Sequence, residues 1–254
     1  MPLISGYLAV VTSGATMDRI AEIASSQWGL ITRRQVERAR VPATTIDRLT
    51  APEGRLTRIA FGVYQLRGAP IPDHSDLRAA WLQLAPEILV WERSAVQGVV
   101  SHRSAASLFG VGHLPADVHE FTVASRRQTR RSDVRIHVRG LTDDEVVVVG
   151  GLPVTRPARI VGDLIRQRED PEAVAQIVID ALRGVFDYPG AFVQALAPYA
   201  ARFGFARGDG LMLLSWLLDL AGVPESERWM GEARASDRDM HGPCAVRVSA
   251  EFRS

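Results

Sequence analysis

Apolar residues recur at helical spacing in three short runs near the start of the chain, and each run is cut off by a residue that ends helices. In residues 17–26, Ile20, Ile23 and Ala24 fall on one face and Asp18, Arg19 and Glu22 on the other, the period of a half-buried helix. Trp28-Gly29 stops this run, because glycine tolerates helix-ending geometry. Leu30-Ile31 reads as a short apolar joint, and Thr32 is a good N-cap for a second helix over residues 33–40 with Val36 and Ala39 inward. Pro42 disfavours helix at Val41 and forces a turn. A third helix over 43–49 buries Ile46 and Leu49 and turns Thr44, Thr45, Asp47 and Arg48 outward.

The pattern then changes period. Pro52 and Gly54 mark a loop, and residues 56–59 and 62–66 read as two strands around a tight Ala60-Phe61 connection. Three helices followed by a β-hairpin is the winged helix-turn-helix plan. Gly68, Pro70 and Pro72 then suggest a linker.

Beyond it the spacing predicts a helix over 76–85, a strand over 98–101 and a helix over 102–109 that Ser101 caps. Residues 118–123 and 134–139 alternate as hairpin strands do, joined by ASRRQTRRSD. An apolar strand over 144–150 follows, then helices over 155–165, 170–184, 190–203 and 209–222. The fold class expected is therefore α+β, with an N-terminal winged helix-turn-helix and a larger α+β domain ending in helices. The domains expected are a disordered extension over 1–16, with Met17 as an alternative start, a DNA-binding winged helix over 17–72, an α+β domain over 73–223, and a poorly ordered, charged tail over 224–254.

Composition sharpens this picture in three places. No run reaches the roughly 18 apolar residues of a membrane span, and the single Cys244 cannot form an internal disulfide, which fits a reducing cytoplasm. All thirty basic residues are Arg, so any chemistry that needs a lysine is excluded. The overall charge of +1 divides unevenly: residues 17–72 carry +4 and residues 73–254 carry −3. A small basic module on a near-neutral one suits a polyanionic partner.

These observations point to DNA. In a winged helix the third helix enters the major groove while the wing touches the backbone. The candidate contacts are Arg33 and Arg34 on the second helix, Thr44, Thr45 and Arg48 on the third, and Arg55 and Arg58 on the wing. A protein-docking module is the alternative use of such a fold. The connection after residue 123 adds Arg126, Arg127, Arg130 and Arg131, either as a solvated turn or as a second phosphate contact, since four neighbouring guanidinium groups repel unless an anion is near.

Catalytic chemistry finds little support. His102 and Ser104 share a helix start, where serine most often serves as a cap, and Asp143-Asp144-Glu145 reads as a solvated loop. The six histidines show no HxxxH or CxxC ligand spacing and no phosphate-binding Gly-rich loop is present, so no cofactor and no metal site are expected. A restriction-type nuclease would want a lysine beside its carboxylates, and there is none.

The chain resembles the AbiEi-type antitoxins of type IV toxin–antitoxin systems. The resemblance is carried by ITRRQVERARVPATTIDRL, RIAFGVYQL, VVSHRSAASLFGVGHL, the pair HEFTV and VRIHV, and GLPVTRPARIVGDL, in that order over about residues 17–220. The usual basic residue before the wing's Gly-Val-Tyr is here Ala60-Phe61. The resemblance implies a cytoplasmic bacterial protein whose first domain binds double-stranded operator DNA at inverted repeats and represses its own operon. It also implies a second domain that counters a nucleotidyltransferase-like toxin without a stable complex. A stand-alone winged-helix regulator with a sensing or dimerising second domain is the alternative, and a degenerate nuclease-related protein the second.

Overall fold

The first helices pack through the apolar stripes that their periodicity predicts. In the computed structural model, which describes residues 3–126 and 128–241, α1 (Leu3–Ser25), α2 (Arg33–Arg38) and α3 (Ala43–Leu49) close on a three-stranded sheet. Its strands are β1 (Leu30–Thr32), β2 (Leu56–Ala60) and β3 (Val63–Leu66), in the antiparallel order β1-β3-β2. Ile20, Ala24, Ile31, Val36, Val41, Ile46, Leu49, Leu56 and Tyr64 form one buried cluster. This is the expected winged helix-turn-helix. Leu30-Ile31 is more than a joint: it is a strand paired with Gln65 and Tyr64. Three residues are too few for alternation to show in sequence.

Two segments expected to lack structure are helical. α1 starts at Leu3, so residues 3–16 continue the helix upstream of Met17. The stretch has no proline after Pro2 to interrupt the ladder, and its lack of a polar face hid the period. At the other end α10 (Ser226–His241) occupies much of the expected tail. Among the described residues Trp229, Met230 and Ala233 anchor it by burial, three positions easily lost among charged neighbours. The expected tail from 242 onward, and residue 127, lie outside the described residues.

The chain divides into two compact units, Met1–Val99 with Phe121–Gly140, and Val100–Glu120 with Leu141–Ser254. The expected boundary after residue 72 is therefore not the structural one. Helix α4 (Ser75–Leu84) packs on all three strands of the winged helix. Side chains of β1 and α2 fasten the segment that follows α4 to the same module. Thr32 Oγ1 donates to the Pro86 carbonyl, Gln35 Nε2 donates to Ile88 O at 3.0 Å, and Arg38 grips the Glu92 carboxylate at 2.6 and 3.1 Å. Arg78 lies over the Trp28 ring at 4.4 Å, and Trp28 meets Trp81 edge-on. Arg93 lies over Trp81 at 4.3 Å and donates to the Trp81, Leu82 and Ala85 carbonyls, which stops the C-terminus of α4. The Pro-rich stretch 68–73 is thus a turn inside the first unit.

The first unit also holds β6 (Val134–Val138), hydrogen-bonded to β5 (His119–Val123) as the hairpin pattern predicts. In the second unit β7 (Val146–Val149) pairs antiparallel with β8 (Leu152–Thr155), and Val154 of β8 aligns in parallel with Val100 of β4 (Val99–Val100). Thr155 ends this strand and does not start a helix, because the helix proper opens at Pro157. Helices α5 (His102–Phe109), α6 (Pro157–Arg166), α7 (Pro171–Arg183), α8 (Pro189–Leu196), α9 (Gly210–Ala221) and α10 complete the unit. The single helix expected over 190–203 is broken: Pro198 lacks an N–H, and residues Ala197–Phe203 tighten into a 3-10 helix. Gly210 lets α9 approach α8 closely, since a Cβ there would stand 2.0 Å from the Val193 carbonyl oxygen.

At the centre of the winged helix two buried amides interlock. Gln27 Nε2 donates to Gln35 Oε1 at 2.7 Å and to Leu30 O at 2.8 Å, while Gln35 Nε2 returns a bond to Gln27 Oε1 at 3.2 Å. Gln35 Oε1 also accepts from Thr32 N at 3.0 Å, and Thr32 Oγ1 accepts from Gln35 N at 3.1 Å, a reciprocal cap that starts α2. We predict that Gln35→Ala destabilises the protein by about 2–4 kcal/mol, because it strands buried donors and acceptors. Urea unfolding followed by circular dichroism measures it, and a loss below about 0.5 kcal/mol would contradict a central role for the pair.

Candidate nucleic-acid interface

Helix α3 presents the residues that sequence placed outward. Thr44 and Arg48 are exposed and Thr45 is half-buried, while Ile46 and Leu49 anchor the opposite face in the core. The Arg48 side chain has no hydrogen bond or ion pair among the described residues, and neither does the Arg55 side chain on the loop before β2. Both guanidinium groups point to solvent with their donors unspent.

The remaining candidates are not equivalent. Arg33 and Arg34 share one acid: Arg33 Nε lies 3.0 Å and an Arg34 Nη 3.2 Å from the Glu37 carboxylate. The hydrogen bond from Arg33 holds the Glu37 carboxyl below its ordinary range, so α2 offers a reduced positive charge. Arg58 is exposed, donates to Ala60 O at 3.4 Å and lies over the Phe61 ring. Arg126 and Arg130 are exposed, and Arg127 lies outside the described residues. Arg131 is half-buried and committed: it pairs with Asp133 and donates to Gln83 Oε1. It is an anchor for the basic connection, with fewer donors left for a phosphate than Arg126 or Arg130.

Gln83 supplies a link that no sequence pattern signalled. Its amide oxygen takes the bond from Arg131, and its Nε2 donates to the Phe61 carbonyl at 2.7 Å. One side chain of α4 therefore holds both the wing tip and Arg131 at the end of the basic connection. Arg67, which flanks the wing in sequence, is used internally: it bonds Thr57 Oγ1 at 3.2 Å and Pro52 O at 2.6 Å. Arg40 was missed. It is exposed in the turn between α2 and α3 and takes φ +59°, a left-handed conformation unusual outside glycine.

Residues 18–67 match the family of AbiEi antitoxin transcriptional regulators. The match covers the end of α1, α2, α3 and the β2–β3 wing, and it stops before α4. No curated protein shows a significant match to the chain. The matched segment thus carries the outward residues of α3 and the wing, whereas α4, Gln83 and the basic connection lie outside it.

In the second unit, the Ser104 hydroxyl donates to Val118 O at 3.0 Å and accepts from Glu120 N at 2.9 Å, so it ties down the start of β5. His102 and Glu120, both buried, bring ligand-type atoms within 4.8 Å of each other, a proximity that spacing along the chain does not show. No helix among the described residues is long and apolar enough to cross a membrane.

Relieving the backbone at Arg40 gives a direct test of the turn. We predict that Arg40→Gly raises the unfolding free energy by up to about 1 kcal/mol, since glycine adopts this φ without a Cβ clash. A drop in stability by chemical denaturation would show that the arginine side chain contributes more than its backbone costs.

Proposed function

We propose that the protein is an antitoxin that represses its own operon by binding operator DNA at inverted repeats and counters a nucleotidyltransferase-like toxin. The AbiEi regulator match at residues 18–67 supports the class. The observation that carries the DNA reading is the solvent-facing set Thr44, Thr45 and Arg48 on a helix whose other side is locked in the core. Arg48 and Thr side chains suit base edges in the major groove, and Arg55, Arg58, Arg126 and Arg130 suit the flanking phosphates. The toxin partner, the repression of its own operon and a cytoplasmic setting rest on the resemblance. The second unit is the part assigned to countering the toxin, without a stable complex.

The test is a gel shift on the DNA upstream of the gene. Arg48→Ala is expected to lose about 1–3 kcal/mol of specific binding and to relax sequence preference. Unchanged affinity and selectivity would remove Arg48 from the interface. Replacing Arg126 and Arg130 with Gln should flatten the dependence of log K on log salt by at most about 0.9 per lost phosphate contact. An unchanged slope would return the connection to a solvated turn. Co-expression with a nucleotidyltransferase-like toxin, read as growth, tests the antitoxin role: Arg48→Ala should still protect.

A further inference from the structure

The wing ends in an aromatic ring that the fold leaves in water. Phe61 is 82% exposed at the turn between β2 and β3. A turn of this kind costs nothing to make polar, and an exposed phenyl ring forfeits its burial energy in the free protein. The tip is nevertheless held firmly. Gly62 takes φ +67° at the second corner, where glycine is the residue that fits. The Gly62 carbonyl accepts from Arg33 N at 2.8 Å, and the Phe61 carbonyl accepts from Gln83 Nε2 at 2.7 Å. Both peptide groups of the turn are therefore pinned to α2 and α4, and only the side chain projects. The Arg58 guanidinium lies 5.4 Å from the ring centroid, so a cation accompanies the apolar surface.

We infer that Phe61 is a wedge that enters the minor groove of the bound duplex and partly unstacks a base step, with Arg58 on an adjacent phosphate. The inference rests on the DNA-binding reading above and deepens it. A rigid apolar projection beside a cation has the chemistry of side chains that kink DNA from the minor groove. The pinned carbonyls supply part of what such a wedge requires: they fix the backbone of the tip, and with it the direction in which the Phe61 Cα–Cβ bond leaves the turn. Pyrimidine–purine steps, the easiest to unstack, are the expected site of entry.

The experiment uses the full chain and duplexes from the DNA upstream of the gene. Bending is read from circularly permuted fragments and unstacking from permanganate reactivity of thymines. The wild type should bend the duplex by about 20–90° and create a hyper-reactive thymine. Phe61→Ala should bind roughly tenfold more weakly and lose both signals, while Phe61→Leu, still an apolar wedge, should keep them. Arg48→Ala serves as the separating control. If it loses sequence preference while the bend persists in complexes that form, the two elements act separately, as proposed. If the wild type binds and Phe61→Ala gives the same bend and the same thymine pattern, the wedge is wrong and the DNA-binding reading stands. If the wild type binds no duplex, both are wrong.

Discussion

The reciprocal pair Gln27–Gln35 sets the geometry on which the interface depends. Each amide is buried, and each gives hydrogen to the other while spending its remaining capacity on backbone. Burial of unsatisfied amides costs several kcal/mol, whereas a closed network loses nothing and gains strength from the low dielectric around it. The partners include the turn after α1, the first residue pair of β1, the cap of α2 and the chain near Ile88 and Val90. The chain between residues 27 and 35 and the stretch at Ile88 and Val90, more than fifty residues on, are thereby fixed at one point. Helix α2 begins there, α3 packs on α2, and the outward face of α3 inherits its direction from the pair.

The arginines divide by what surrounds them, and the division explains why a basic composition alone said so little. Arg38, Arg67, Arg78, Arg93 and Arg131 spend their donors on carbonyls, carboxylates or aromatic faces within the first unit. Burial lowers the affinity of the Arg78 guanidinium for its proton, an expense accepted for its place over Trp28. Arg48, Arg55, Arg126 and Arg130 keep theirs for solvent. A guanidinium has five donors in a rigid fork, so it serves as readily to stop a helix as to hold a phosphate. In a chain without lysine, every structural cation is written with the same letter as every functional one.

That ambiguity marks the limit of what residues disclose before a fold is known. The start of α2 at Thr32, the extent of α3, the two wing strands and the helix His102–Phe109 were legible, because caps, prolines and periodicity act within a few residues. Arg48 was legible as outward for the same reason. The strand β1, the anchoring of α10 by Trp229 and Met230, and the roles of Arg131 and Gln83 were not. Each depends on a partner tens of residues away. The Pro-rich turn at 68–73 carried a true local signal, a chain reversal, that was extended too far into a domain boundary.

The connectivity of the first unit bears on how the two roles can be separated. It takes residues from both Met1–Val99 and Phe121–Gly140, so the chain leaves it, returns and leaves again. A single cut anywhere divides a unit or strands a piece of it. Cutting after 72 would strip α4 from the sheet, orphan Gln35 Nε2 and Thr32 Oγ1 from Ile88 and Pro86, and release the wing tip from Gln83. A fragment ending there would lose the constraints that aim α3, and weak binding by it would say nothing about which residues read DNA. Point substitutions on the solvent side of α3 avoid this, because Arg48 has no partner among the described residues to lose. The two proposed roles, repression and toxin neutralisation, are therefore to be separated in this chain by changing surface chemistry, and not by removing a domain.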